Sequence, residues 1–85
     1  MYIIIKDKTT DNIIGLKEEI AMRLEGVVGV EVIKVLEGGE VWIEKNGRGY
    51  GSKSSSHSRK DIGDTLSFLL DEAKREDTRQ CRIEL

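Results

Sequence analysis

Short runs of β-branched residues alternate with segments of helical spacing, and this pattern predicts an α+β fold for the 85-residue chain. Two β-rich runs, residues 2–6 and 28–36, flank a segment whose apolar residues recur every three or four positions. A Gly-Gly pair then separates the second run from a third, which is typical of a β-hairpin. The length predicts a single domain over residues 1–85.

The first half of the chain predicts a strand, a helix and the hairpin, in that order. Residues 2–6 form the first strand, and residues 9–11 offer N-caps for the helix. The helix ends before Gly26, a typical C-terminal glycine. Its apolar face carries Ile13, Leu16, Ile20 and Leu24. The second strand covers 28–36, and the third covers 41–45 after the turn.

The second half predicts a loop, a helix and a final strand. The helix begins at a capping pair, Ser58 and Asp61, and its apolar residues continue at helical spacing to about Arg75. Residues 81–85 alternate apolar and polar side chains, which predicts a half-buried strand. The order β-α-β-β-α-β predicts a ferredoxin-like fold, in which a four-stranded antiparallel sheet carries both helices on one face.

Residues 45–60 carry only positive charge, whereas acidic side chains outnumber basic ones in the rest of the chain. The chain has 14 basic and 16 acidic side chains, and five of the basic ones lie in this segment, which contains no acid. Three of the nine glycines and five of the six serines also lie there. We therefore predict an irregular, cationic loop rather than a helix or a strand.

This loop has the composition of a phosphate site, because glycines and serines expose backbone N–H groups near cations. The stretch from Gly47 approaches the motif GxxxxGK[ST], but Ser52 stands where that motif needs glycine, so nucleotide hydrolysis is not expected. We predict binding of nucleic acid or of a nucleotide phosphate. The predicted contacts are Lys45, Arg48, Lys53, His57, Arg59 and Lys60. The alternative is a solvated connection with no ligand.

Trp42 is the second candidate for a site. Val41 and Ile43 alternate with it, so the aliphatic pair should face the helices while Trp42 faces the open side of the sheet. Tyr2, in the first strand, is a further candidate for that side. An apolar open face indicates a protein partner or a homodimer. The alternative is that Trp42 packs on neighbouring side-chain stems without a partner.

The composition argues against several other functions. With one cysteine, Cys81, and one histidine, the chain has neither an internal disulfide nor a His/Cys zinc site. No apolar run approaches the ~20 residues that span a bilayer, and the start of the sequence is too short for a signal peptide, so we expect a cytoplasmic protein without membrane contact. A serine-rich loop around His57 gives neither a rigid base nor an oxyanion hole, so we expect no catalytic residues and no cofactor.

Three known domains share parts of this pattern. The RNA-recognition motif has the same element order, but EVWIEKNG does not match its aromatic third-strand motif. The segments GYGSK and SRK resemble the Gly-rich turn and basic helix start of the double-stranded-RNA domain, which has three strands between its helices where two are predicted here. The layout around GVVGVEV resembles the heavy-metal-associated domain, but DKTTDN replaces that family's paired cysteines. No family is assigned.

Two hypotheses follow, both for a small non-enzymatic interaction domain. In the first, the basic loop at 45–60 binds an anionic partner. In the second, the face around Trp42 binds a protein, as inhibitors or adaptors encoded by phages and other mobile elements do.

Overall fold

The computed structural model describes residues 2–6 and 14–83, and the side-chain surroundings of residues 3–6 and 14–76. The four strands are β1 (Tyr2–Ile5), β2 (Val30–Val35), β3 (Glu40–Lys45) and β4 (Arg48–Lys53), and the two helices are α1 (Leu16–Arg23) and α2 (Arg59–Ile83). The strands form one sheet in the order β1-β2-β3-β4. The α+β class is therefore confirmed, with four strands and two helices. The N-cap of α1 is Gly15, so the prediction of an N-cap at residues 9–11, which lie outside the described residues, is wrong for this helix.

The sheet is mixed, so the prediction of a wholly antiparallel sheet is wrong. β1 runs parallel to β2, with Tyr2 opposite Val32 and Ile5 opposite Val35. The other two pairs, β2 with β3 and β3 with β4, are antiparallel. The parallel pair follows from the crossover between β1 and β2, because a connection that contains a helix returns the chain in its original direction.

β4 lies inside the segment that was predicted to be an irregular loop. Asn46 and Gly47 have φ angles of 53° and 78°, and a type I′ hairpin turn requires two such positive values. From Lys45 opposite Arg48 onwards, β3 and β4 pair over six residues without a shift in register. The prediction of an irregular loop at residues 48–53 was wrong because it rested on the overall composition of 45–60 and did not use Asn46-Gly47 as a turn signal.

α2 extends through the position of the predicted final strand. Residues 81–83 belong to the helix, so the strand predicted at 81–85 is wrong over these residues, and 84–85 lie outside the described part of the chain. Residues 64–83 contain no Gly or Pro, so nothing in the sequence ends the helix near Arg75. The fourth place in the sheet belongs to β4 instead. Neither of the two described helices is long and apolar enough to cross a membrane.

One hydrophobic core lies between the two helices and one face of the sheet. Ile33 and Val35 from β2 meet Val41 and Ile43 from β3, and all four are almost completely buried. The helices contribute Leu16, Ile20, Leu24, Ile62, Leu66, Leu69, Leu70 and Ala73. Both helices therefore cover the same face, as predicted, and among residues 2–6 and 14–83 no element covers the opposite face, which we call the open face.

The two helices approach each other at Gly63. A Cβ atom at this position would lie 3.0 Å from Cγ of Glu19, so the missing side chain allows the close approach. Arg23 donates hydrogen bonds to Glu19 at 2.9 Å and to Ser67 at 3.1 Å, and pairs with Asp64 at 3.0 Å. The hydrogen bond to Glu19, with help from Asp64, raises the pKa of Arg23 although burial acts in the opposite direction. These contacts fix α1 against α2.

Candidate binding face on the open side of the sheet

Trp42 lies on the side of the sheet opposite the helices. Val41 and Ile43, its neighbours in β3, point into the core, so Trp42 points to the other face. It stands opposite Gly51 of β4. The benzene ring of the indole fills the space between residues 49 and 51, because a Cβ on Gly49 would overlap Cζ2 and one on Gly51 would lie 2.8 Å from Cε3. The ring therefore covers the open face of β4.

Gly49 and Gly51 are required by the indole and not by the backbone. The φ angles of both residues lie outside the left-handed range, so a side chain at either position would leave the strand unstrained. A side chain would instead collide with Trp42. The glycines that the sequence associated with phosphate binding thus have a packing role in the structure.

The open face around Trp42 carries both apolar side chains and equal numbers of positive and negative side chains. Ile4 and Val32 are half-buried there, on β1 and β2. The charged side chains are two lysines and two glutamates, Lys34, Lys53, Glu40 and Glu44. Lys34 stands opposite Trp42, and its Nζ lies 3.8 Å from a carboxylate oxygen of Glu44. The face is thus amphipathic and has no net charge.

A shallow cleft of about 320 Å³ lies beside the indole. It is lined by Leu36, Glu40, Val41, Trp42, Gly51, Ser52 and Lys53. The cleft therefore combines aliphatic and aromatic surface with one acid and one base. It is open to solvent and large enough to hold a single side chain of a partner.

Two of the six cations predicted to bind phosphate lie at the hairpin end of β4. Lys45 is only 8% exposed and belongs to the helix side of the sheet, where Val41 and Ile43 also point. Arg48 Nη1 lies 3.8 Å from a carboxylate oxygen of Glu76 in α2. The length of β4, about 16 Å, separates this pair from the other four cations.

The other four cations lie at the opposite end of β4, and they face different surroundings. Lys53 and Lys60 are exposed. The imidazole of His57 lies against Gly39 in the β2–β3 turn. Arg59 Nε is 3.5 Å from a carboxylate oxygen of Glu19, so this side chain extends towards α1. Lys53 on the open face and Lys60 at the start of α2 are thus both exposed near the end of β4, but the structure does not assemble all six cations into one site.

The start of α2 already uses the polar groups that a phosphate would need. Ser58 caps the helix by accepting a hydrogen bond from the Asp61 N–H at 3.2 Å, which fits the predicted capping pair. The Ser58 N–H in turn donates to the Ser56 hydroxyl oxygen at 3.2 Å, and the Ser56 hydroxyl donates to the Asp61 carboxylate. The Asp61 carboxylate therefore provides negative charge in the first turn of the helix, where the helix dipole favours it.

The sequence interpretation missed Gly49 and Gly51 as members of the open face. The signal was present, because Asn46-Gly47 between residues of strand propensity predicts a hairpin. A hairpin with this turn places Gly51 opposite Trp42. Tyr2, the other predicted residue of this face, pairs through its backbone with Val32, and its side chain lies outside the described part of the chain.

Comparisons with protein-family models, with curated proteins and with solved structures gave no match for this chain.

Proposed function

We propose that the chain is a small, non-enzymatic, cytoplasmic binding domain that holds a protein partner on its open sheet face. The observation that carries this proposal is the position of Trp42, whose ring lies over the two glycines of β4 and beside an open cleft. Large aromatic side chains at the centre of a contact surface supply much of the binding energy in protein interfaces. An inhibitor or adaptor role, of the kind that phages encode, needs no more than such a face.

The charges around Trp42 favour a protein over a nucleic acid. Glu40 and Glu44 lie on the same strand and the same face as Trp42, two residues to either side. If the bases of a nucleic acid stacked on the indole, the phosphates joining them would lie near these two carboxylates and be repelled by them. A protein surface can instead match two lysines and two glutamates with opposite charges.

The test is affinity capture with the immobilised chain from a cell lysate, followed by identification of the retained proteins. The Trp42→Ala variant should no longer retain the proteins that the wild type captures. The Lys34→Glu variant should retain less of them, and it leaves the hydrophobic core unchanged. Phe68→Ala is the matched control, because Phe68 is an aromatic residue 49% exposed on α2, away from the open face. Equal retention by Trp42→Ala, Lys34→Glu and the wild type would contradict the proposal.

A second candidate function is anion binding at the end of β4, and the exposure of Lys53 and Lys60 at this end supports it. Two or three phosphate contacts would give a log–log salt slope of about −2 on duplex DNA, against about −4.5 for five. Fluorescence anisotropy with labelled duplex DNA, single-stranded DNA and RNA at two salt concentrations tests this candidate. Absence of binding at low salt, or binding unchanged in the Lys53→Gln/Lys60→Gln variant, would exclude it.

A further inference from the structure

No described strand pairs with the outer edge of β4, and the hairpin determines which backbone groups point towards this edge. In a two-residue turn the residues on either side, Lys45 and Arg48, form a hydrogen-bonded pair, and bonded pairs then alternate along the strands. Just beyond β4, the Ser54 N–H donates to the Gly39 carbonyl oxygen at 3.0 Å, which fits the same alternation.

The alternation directs three backbone positions away from β3. Residues 48, 50 and 52 bond to β3, so the N–H and C=O groups of Gly49, Gly51 and Lys53 point outwards. These three residues are exposed. β4 is the last strand in the described sheet, and no other described strand pairs with this edge.

The β4 edge carries two cations, Arg48 and Lys53, but lacks two other features that protect edge strands from pairing. β4 contains no proline, and its pairing with β3 has no bulge. The other edge of the sheet, β1, has four residues against six in β4. Two alternate residues of β4 are glycines, so no side chain at these positions obstructs an approaching backbone.

A cleft lies on each face of the sheet beside β4. On the open face is the cleft next to Trp42, and on the helix face is a second one of about 260 Å³, lined by Tyr50, Glu72, Arg75 and Glu76. Successive side chains of a strand point to opposite faces of a sheet. A strand added to β4 would therefore direct alternate side chains towards the two clefts.

We infer that β4 binds an extended peptide segment of a partner protein as a fifth strand of the sheet. This inference rests on the proposed protein-binding function and names the form of the partner. Backbone hydrogen bonds to Gly49, Gly51 and Lys53 supply affinity, and side chains in the two clefts supply specificity. An apolar side chain opposite Gly51 contacts the indole of Trp42, and an acidic side chain two residues away lies beside Lys53.

The charge of β4 favours an acidic peptide over a second copy of the chain. β4 carries Arg48 and Lys53 and no acid. An antiparallel pairing of two β4 strands places no acid of the second strand opposite Arg48 or Lys53, because β4 contains none. A segment with an acidic residue beside Lys53 meets the opposite charge instead.

The experiment uses the whole chain and a displayed library of random twelve-residue peptides as the probe. We expect the enriched peptides to contain an apolar and an acidic residue two positions apart. The best peptide should slow hydrogen exchange at the amides of Gly49, Gly51 and Lys53, as measured by NMR. Absence of enrichment over an unrelated immobilised protein, or unchanged exchange at these amides, would overturn the inference.

Two variants at Lys53 separate backbone pairing from charge. Lys53→Pro removes an outward N–H that the β3–β4 ladder does not use, and edge positions of this kind tolerate proline. It should weaken peptide binding more than tenfold, because a backbone hydrogen bond and its neighbours are lost. Lys53→Gln removes the charge alone and should weaken binding less than about fivefold. Equal affinities of the two variants would contradict strand addition.

The outcomes also distinguish this inference from the proposed function. If the captured partners depend on Trp42 and Lys34 but bind Lys53→Pro as well as the wild type, strand addition is wrong and the binding face stands. If the capture is insensitive to all of these variants, both fail. A concentration-dependent dimer that Lys53→Pro abolishes would identify a second copy as the occupant and overturn the peptide assignment.

Discussion

Residues 48–53 and 54–58 have similar compositions but entirely different structures. Both segments are rich in Gly or Ser, and neither contains an acid. The first is a strand whose two glycines make room for Trp42, whereas the second is an irregular serine segment that prepares the start of α2. The difference lies in the order of the residues: Asn46-Gly47 closes a hairpin before the first segment, and Ser58 caps a helix after the second.

This comparison shows that small residues in one stretch can serve opposite purposes. In residues 48–53 the absence of side chains allows close packing by an aromatic ring. In residues 54–58 the serine hydroxyl groups form hydrogen bonds with backbone groups of the same segment. Ser54, for example, donates to the carbonyl oxygen of Ser56 at 2.6 Å. Changes in the first segment should therefore act through packing, and changes in the second through single hydrogen bonds.

The largest effect is expected at Gly49. Gly49→Val places a side chain where the indole of Trp42 lies, and overpacking of this kind costs about 2–3 kcal/mol in the free energy of unfolding. Denaturant unfolding monitored by circular dichroism measures the loss. The double variant Trp42→Val/Gly49→Val is the control, because it restores the space and should recover most of the stability. A double variant no more stable than Gly49→Val would show that the ring does not fill this gap.

The hairpin turn should be the next most sensitive position. Gly47 has a φ of 78°, so Gly47→Ala forces a side chain into a left-handed conformation and should cost about 1–2 kcal/mol. Gly47→Asn is the matched control, because asparagine tolerates this conformation and should cost less. Thermal melting of the two variants gives the comparison. Equal melting temperatures would argue against a type I′ turn.

In the serine segment the expected loss is smaller. Ser58→Ala removes the side chain that accepts the Asp61 N–H and should destabilise the protein by about 1 kcal/mol. Ser58→Asp retains an acceptor and should keep nearly wild-type stability, while Ser55→Ala should change little. Denaturation midpoints decide between these outcomes. A loss from Ser58→Ala as large as that from Gly49→Val would remove the distinction between the two segments.

The smallest effect has the opposite sign. Lys60 is exposed in the first turn of α2, where a positive charge opposes the helix dipole. Lys60→Gln should therefore stabilise the protein by about 0.3 kcal/mol, and more at low salt than at high salt. Lys53→Gln, outside the helix, should leave stability unchanged. Destabilisation by Lys60→Gln at low salt would indicate an attractive partner for this side chain.

The sequence predicted the elements that have a strong repeating pattern. The spacing of Leu16, Ile20 and Leu24 predicted α1, and alternation around Val41 and Ile43 placed Trp42 on the open face. The Gly-Gly turn before β3 was also predicted, and Gly38 and Gly39 have φ angles of 83° and 82°. In these cases local pattern and tertiary packing agree.

The parts that could not be predicted depend on competition between distant segments. Alternation of Cys81 and Ile83 indicated a strand, but helix propagation from Ile62 onwards, with no Gly or Pro after Gly63, extends α2 through both residues. The six cations clustered in sequence, yet Arg48 and Arg59 pair with acids of α2 and α1. Such pairings depend on which side chains the fold brings together, and sequence proximity does not show this.

The mixed sheet also has a consequence for the order of folding. β3 and β4 are joined by two residues, whereas Tyr2 pairs with Val32 across 30 residues. Short loops close at low entropic cost, and isolated hairpins form in roughly 1–10 μs. We therefore expect the hairpin to form in the transition state for folding and β1 to join late, which leaves β2 as a transient unpaired edge. Kinetic analysis should show that Ile43→Val mainly slows folding and that Ile3→Val mainly speeds unfolding; the reverse pattern would place β1 in the nucleus.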